Sequence, residues 1–172
     1  MTDPSATLRV SEIFHSLQGE STRAGLPTVF VRLTGCPLRC TWCDTEYAFS
    51  GGETRTLGDV LIEVARHGAG QVCVTGGEPL AQKACLPLLA TLCDAGYSVS
   101  LETSGALDIS SVDPRVSRIV DLKAPASGEA DKNLWDNLAH LNARDELKIV
   151  LADEADYAWA KSVLAARRLD AI

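Results

Sequence analysis

Apolar residues along this chain alternate between two periods, and the switch recurs from end to end. Short runs rich in Val, Ile, Leu and Phe cover residues 10–14, 28–33, 72–75, 98–102, 118–123 and 146–151. Gly, Pro or polar residues bound each run, so each predicts a strand. Between them, Leu57, Val60, Leu61, Val64 and Ala65 fall on one helical stripe behind Thr56, a residue suited to cap it. Ala84, Cys85, Leu88, Leu89, Leu92 and Cys93 repeat that period, with Pro87 marking a late start or a kink. Leu134, Leu138 and Leu141 form a shorter stripe. Asp153 predicts the cap of a last helix whose Ala155, Trp159, Ser162, Val163 and Ala166 share a face. Strands alternating with helices imply βαβ units, a parallel sheet and the α/β class.

A sheet of that kind builds its site from loops at the carboxyl ends of its strands. The loops predicted there carry chemistry. Cys36, Cys40 and Cys43 follow the 28–33 strand with C-x3-C-x2-C spacing, next to Gly35 and Pro37. A [4Fe–4S] cluster that only carries electrons normally takes four cysteines, whereas three leave one iron open to a small molecule. A mononuclear zinc site is the alternative, although structural zinc sites usually pair two such knuckles and no second one is present. Cys73, Cys85 and Cys93 are dispersed in apolar runs and read as small buried hydrophobes. Gly76-Gly77-Glu78, Thr103-Ser104-Gly105 and Ala124-Pro125 follow three further strands and are expected at the same rim.

Composition narrows the class of partner. At 172 residues, the chain is expected to form a single domain, residues 1–172, large enough to bury a core. No uninterrupted apolar run reaches the ~18 residues of a membrane span. A net charge of −7 opposes a nucleic-acid partner, which leaves a small molecule as the expected substrate. A polar start over residues 1–9 and free thiols imply a reducing, cytoplasmic setting.

The three cysteines, with aromatic Trp42 just before the last, resemble the signature of the radical S-adenosylmethionine (SAM) superfamily. Glu12-Ile-Phe-His-Ser-Leu-Gln-Gly-Glu20, Val29-Phe-Val-Arg-Leu-Thr-Gly-Cys36, Cys43-Asp-Thr45, Thr75-Gly-Gly-Glu-Pro79, Leu101-Glu-Thr-Ser-Gly105 and Asp121-Leu-Lys123 are similar, in that order, to the 7-carboxy-7-deazaguanine synthase family. The resemblance runs from about Glu12 to Leu151 and implies an incomplete (β/α)6 radical-SAM barrel, open on one side. It also implies a lyase that turns 6-carboxy-5,6,7,8-tetrahydropterin into 7-carboxy-7-deazaguanine, with loss of ammonia, in 7-deazapurine (queuosine) biosynthesis. A glycyl-radical-enzyme activase shares the cluster and SAM but has no reason to keep Ser16-Leu-Gln-Gly-Glu20 together with Thr45.

Site roles implied by the resemblance fall into three groups. Cys36, Cys40 and Cys43 hold the [4Fe–4S] cluster. Trp42, Cys43, Asp44, Gly76, Gly77, Thr103, Ser104, Asp121, Leu122 and Lys123 surround SAM. Leu17, Gln18, Gly19, Glu20, Arg32 and Thr75 bind the pterin, and Thr45 supplies a hydroxyl to Mg²⁺. Read without the family, Thr45 is a loop cap, Gly76-Gly77 an ordinary turn and Asp121–Lys123 a strand-end ion pair. Arg32 shares a strand face with Phe30 and is either a carboxylate anchor or the partner of a nearby acid. His15 receives no role. The family further implies a flavodoxin-like or other one-electron reductant, a homodimer, and a further C-terminal strand and segment; the sequence stops before them at Ile172, as a short variant or as an incomplete chain.

Overall fold

In a computed structural model describing residues 5–169, seven strands share one sheet: β1 (Thr7–Leu17), β2 (Pro27–Leu33), β3 (Glu53–Thr56), β4 (Gln71–Gly76), β5 (Ser98–Thr103), β6 (Ser117–Asp121) and β7 (Glu146–Lys148). Their order is β3-β1-β2-β4-β5-β6-β7. Five neighbours, β2 to β7 without β3, run parallel, as the alternating pattern predicts. The first strand departs from it: β1 is antiparallel to both β2 and β3. Residues 18–26 between β1 and β2 are too few for a parallel crossover, so the chain turns back as a hairpin. The end strands β3 and β7 are not paired to each other among the described residues, which leaves an open partial barrel. Ile172 lies outside the described residues.

Helices cover the outer face. Thr56 and Asp59 form a reciprocal capping box at the start of α1 (Leu57–Arg66), which buries Leu57, Val60 and Val64. Pro87 sits in the first turn of α2 (Cys85–Asp94), where a missing N–H costs no helical bond, so it marks the late start and not a kink. The Asp153 carboxylate caps α3 (Glu154–Arg167) through the Asp156 N–H at 2.9 Å. Two expectations need correction. Leu134, Leu138 and Leu141 flank or join a 3₁₀ turn at Trp135–His140, not an α-helix. The predicted strands at 118–123 and 146–151 end early, at Asp121 and Lys148, because Pro125 starts a 3₁₀ turn beyond β6 and Val150 turns into the cavity. Short, charged β3 (Glu-Thr-Arg-Thr) has no apolar alternation and escapes sequence reading.

Two faces of β1 and β2 follow from one extra residue. Val10 pairs with Leu33 but Glu12 pairs with Arg32, so Ser11 is a β-bulge. Before the bulge, Leu8 and Val10 join the helix-covered core with Val29, Val31 and Leu33. Beyond it the pairs Glu12–Arg32, Phe14–Phe30 and Ser16–Thr28 share the other face, inside the barrel. If Ser11 paired regularly with Arg32 instead of bulging, every residue from Glu12 onward would change sides. The Phe14 and Phe30 rings stack there with centroids 5.0 Å apart.

The β1–β2 hairpin closes the amino-terminal end of the barrel. Arg23 Nη1 donates to Gln71 Oε1 (2.6 Å) and Ser98 Oγ (2.9 Å), at the starts of β4 and β5. Thr22 donates through its backbone N–H (3.0 Å) and hydroxyl (2.7 Å) to Glu146, the first residue of β7. Lys148 of β7 pairs with Glu20. Side chains thus bridge the gap that no strand pairing closes.

A buried ion pair fastens β6 to the segment that enters β7. Arg118 Nε donates to both Asp145 oxygens at 3.1 Å, and Asp145 also accepts the backbone N–H groups of Arg118 and Asn142 at 2.8 Å each. Their side chains are 5% and 0% exposed. Removing one partner strands a buried charge, so Asp145→Ala is expected to lower stability by about 3–5 kcal/mol. Urea unfolding of both proteins checks this, and a loss below ~1 kcal/mol would show the pair to be dispensable.

Candidate active site

The loops that leave the carboxyl ends of β2, β4 and β5 are joined by backbone contacts and one buried carboxylate. Gly35 has φ 100°, a conformation that favours glycine, and turns the chain into the cysteine loop. Its carbonyl accepts the Glu78 N–H at 2.7 Å, while the Leu33 carbonyl accepts the Gly77 N–H at 3.1 Å. A Cβ on Gly77 would collide with the Gly35 carbonyl and stand 2.8 Å from Cys36 Cβ. Glu78 is fully buried and accepts bonds from Leu80 N–H (2.9 Å), the Thr103 hydroxyl (2.9 Å), Ser104 N–H (2.7 Å) and the Ser104 hydroxyl. One carboxylate therefore locks the β4 loop to the β5 loop.

The far side of the cysteine loop is held by the loop after β6. Thr41 donates its N–H to the Ser127 carbonyl (3.0 Å) and its hydroxyl to the Ala126 carbonyl (2.8 Å). Arg39 N–H donates to Glu129. Ala126 N–H is in turn bound at 3.0 Å by Asp156 of α3. Cys36, Cys40 and Cys43 thus sit on a loop clasped from both flanks. Burial pushes the Cys36 and Cys40 thiols above the ordinary cysteine range, and Lys123 partly offsets this at Cys40.

These loops surround a cavity of about 630 Å³ that runs into the barrel as far as Gln18, Gly19, Glu20 and Lys148. That is the size of a small-molecule site, roughly 300–1,000 Å³. Every residue given a cluster, SAM, pterin or magnesium role from the sequence lines it except Leu122, which is buried with its N–H on the Lys148 carbonyl at 2.8 Å. Cys73 and Cys85 are fully buried and Cys93 packs against the core, as predicted. His15 pairs with Val29, on the strand face away from Phe30, with its ring 6.3 Å from His67.

Inside the cavity the polar groups are paired in sets. Glu102 accepts bonds from Gln18 Nε2 (3.1 Å) and the Thr75 hydroxyl (3.0 Å). No role was predicted for Glu102, nor for Lys148, yet both line the cavity. Period-2 reading held the signal for Glu102: Ser98, Ser100 and Glu102 form a polar stripe in an otherwise apolar strand. Arg32 Nε donates to Glu12 Oε1 at 2.7 Å, and the Tyr47 hydroxyl donates to the same oxygen at 2.8 Å. The acid partner considered for Arg32 is therefore Glu12. Thr45 occupies the N-cap position of the 3₁₀ turn Glu46–Phe49 but its side chain makes no capping bond. Its hydroxyl instead donates to Asp44 Oδ1 at 2.6 Å.

Among the described residues, no three His, Cys, Asp or Glu side chains gather around a common point as a mononuclear ion requires. A cubane needs no such point, because each thiolate binds a different iron.

Asp121 and Lys123 form the strand-end ion pair, 3.0 Å apart. Asp121 Oδ1 is buried with no hydrogen-bond partner among the described residues, at the cavity wall. Burial raises the Asp121 carboxyl above its ordinary value despite Lys123. The folded state therefore binds this proton more tightly than the unfolded chain, and the charge costs stability as pH climbs through the raised value. Asp121→Asn is expected to match the parent near pH 3 and to become the more stable of the two toward pH 7. Urea unfolding across that range checks this; a constant difference, or a parent that gains on the variant toward pH 7, would contradict it.

With this geometry in place, comparison with known proteins is informative. The profile of the radical SAM superfamily matches residues 30–124. A 7-carboxy-7-deazaguanine synthase of Chlorobaculum tepidum is 50% identical over 163 residues, covering 93% of this chain and 74% of that protein. Proteins of the same name from Koribacter versatilis and Thermoplasma acidophilum are 45% and 42% identical, covering 90% and 88% of this chain and 69% and 73% of theirs. The crystal structure of QueE from Escherichia coli superposes with a TM-score of 0.79 at 29% identity, over 92% of this chain and 78% of that one. The chain belongs to the 7-carboxy-7-deazaguanine synthase family of the radical SAM superfamily.

Proposed function

We propose that this protein is a radical SAM lyase that converts 6-carboxy-5,6,7,8-tetrahydropterin to 7-carboxy-7-deazaguanine with loss of ammonia, a step toward 7-deazapurines such as queuosine. One observation carries the reading: a single cavity has three thiols at one end and, deeper in, a guanidinium and a fixed carboxylate suited to a carboxylated pterin. The donor set fits the family's cofactors. Three thiols suit a site-differentiated [4Fe–4S] cluster, and the unpartnered Asp121 oxygen and the close-packed Gly77 backbone suit a SAM molecule beside it. When bound, the cluster and SAM supply a carbon radical able to take a hydrogen atom from the substrate.

The protein's own groups bind and orient. Cys36, Cys40 and Cys43 hold the cluster; Trp42, Asp44, Gly76, Gly77 and the wall from Asp121 to Lys123 flank SAM. Ser104 and Thr103 give their protons to Glu78, so toward the cavity they offer lone pairs to a donor such as the SAM ammonium or ribose hydroxyls. Glu102, steadied by Gln18 and Thr75, is a fixed acceptor for the N–H edge of a pterin, with Leu17, Gly19 and Glu20 closing the floor. Arg32 takes the substrate carboxylate. Thr45 gives its proton to Asp44 and keeps its oxygen lone pairs, so its hydroxyl would be the protein's ligand to Mg²⁺.

The proposal extends to one domain, a cytoplasmic setting, a flavodoxin-like or other one-electron reductant and a homodimer. Free thiols support the compartment, and the edges of β3 and β7, unpaired among the described residues, support association. Among the described residues no helix is long and apolar enough to cross a membrane. A net charge of −7 supports a small-molecule substrate over nucleic acid.

The test is turnover. Anaerobically reconstituted protein with SAM, reductant, Mg²⁺ and the carboxytetrahydropterin is expected to yield the deazaguanine by mass spectrometry; cluster-loaded protein that cleaves SAM but forms no deazaguanine would overturn the reading. In the same assay Thr45→Val is expected to shift the Mg²⁺ titration of product formation upward by about 10-fold or more, the loss of one charged contact. Reductive SAM cleavage without substrate is expected to persist. An unshifted titration would remove Thr45 from the magnesium site.

A further inference from the structure

Arg32 is held in a way that the sequence motifs do not explain. The bulge at Ser11 brings Glu12 directly opposite Arg32 on the cavity face of the β1–β2 pair. Glu12 Oε1 lies 2.7 Å from Arg32 Nε, and the Tyr47 hydroxyl binds the same oxygen at 2.8 Å. The guanidinium carbon stands 5.9 Å from the Phe14 ring centre and 5.9 Å from that of Tyr47, and Phe14 is backed by the stacked Phe30. Among the described residues no acceptor binds either Nη. A side chain with several rotatable bonds is thereby anchored at Nε and confined between two rings, with its terminal donors free.

We propose that Glu12 and Tyr47 are positioning residues that pre-orient Arg32, so that its two Nη groups meet the substrate carboxylate as a rigid fork. This rests on the pterin reading above and deepens it: the pair selects a planar carboxylate at that end of the substrate. Fixing the guanidinium in advance removes side-chain entropy that binding would otherwise cost. Glu12 acts here as an acceptor at a fixed point, and its charge is secondary. Tyr47, from the turn just past the cysteine loop, steadies that acceptor with its hydroxyl and the guanidinium plane with its ring. It also ties the substrate end of the cavity to the segment that carries Thr45.

The experiment compares two ligands on cluster-loaded enzyme with SAM: 6-carboxytetrahydropterin and tetrahydropterin lacking the carboxylate. Glu12→Ala is expected to weaken the carboxylated ligand by about 10- to 100-fold, the scale of a lost charged hydrogen bond, and to leave the other ligand's affinity unchanged. Glu12→Gln retains the acceptor oxygen and is expected to stay within about threefold of the parent for both. Equal weakening of both ligands in Glu12→Ala would mean a general structural role and would overturn the proposal, as would an unchanged affinity for the carboxylated one. A Glu12→Gln loss as large as that of Glu12→Ala would also overturn it, by showing that charge and not placement matters. Wild-type protein that binds neither pterin overturns the proposed substrate itself, and this inference with it; wild-type binding with an indifferent Glu12→Ala sinks the inference alone.

Discussion

The contact between two glycine-bearing turns, Gly35 against Gly76-Gly77, is the constraint on which the site depends. Two backbone hydrogen bonds at 2.7 and 3.1 Å seat the start of the cysteine loop on the loop after β4. Side chains are excluded there by space: a Cβ at Gly76 would run into the backbone at the end of β2, and one at Gly77 into the backbone of the cysteine loop. From this seat the buried Glu78 carboxylate reaches Thr103 and Ser104 after β5, and the 126–129 segment grips the cysteine loop from the other side. Four loops become one rigid rim. Rigidity matters because a radical must be generated and used at close range, with water excluded and the reacting atoms already aligned.

The other end of the cavity is organised by a different device. A single bulged residue, Ser11, turns Glu12, Phe14 and Ser16 away from the helix-covered core and into the barrel. The β1–β2 hairpin then closes the amino-terminal end and spans the open side of the sheet, with Thr22 on Glu146 and Glu20 on Lys148. In the proposed function, cofactor chemistry sits among loops, and substrate recognition sits on strand faces and a hairpin. Polar pairs within the cavity are matched in advance, while Asp121 Oδ1, with no hydrogen-bond partner among the described residues, carries a cost in stability.

Sequence alone made much of this legible, for identifiable reasons. Strand and helix periods placed all five parallel strands and three helices, and Thr56 and Asp153 cap where side-chain chemistry says they should. Motif residues converge on one cavity because loops at one rim of a parallel sheet must be neighbours. Antiparallel β1 was not visible because strand direction is set by connection length, which apolar period does not report. β3 lacked any apolar pattern, and the stripe at Leu134 could not distinguish a 3₁₀ turn from an α-helix. The partnership of Glu12 with Arg32 depends on cross-strand register, and the bulge at Ser11 changes that register by one residue without leaving a distinctive residue type behind.

The most direct test of the central claim is the iron and sulfide content of Gly77→Ala after anaerobic reconstitution, measured beside its thermal unfolding without cluster. If the close seat of the two turns shapes the cysteine loop, the variant keeps its helical circular dichroism and a cooperative transition but retains less than about half the iron and sulfide of the parent, because one methyl group forces the Gly35–Cys36 backbone aside. A full cluster complement in well-folded Gly77→Ala would contradict the account.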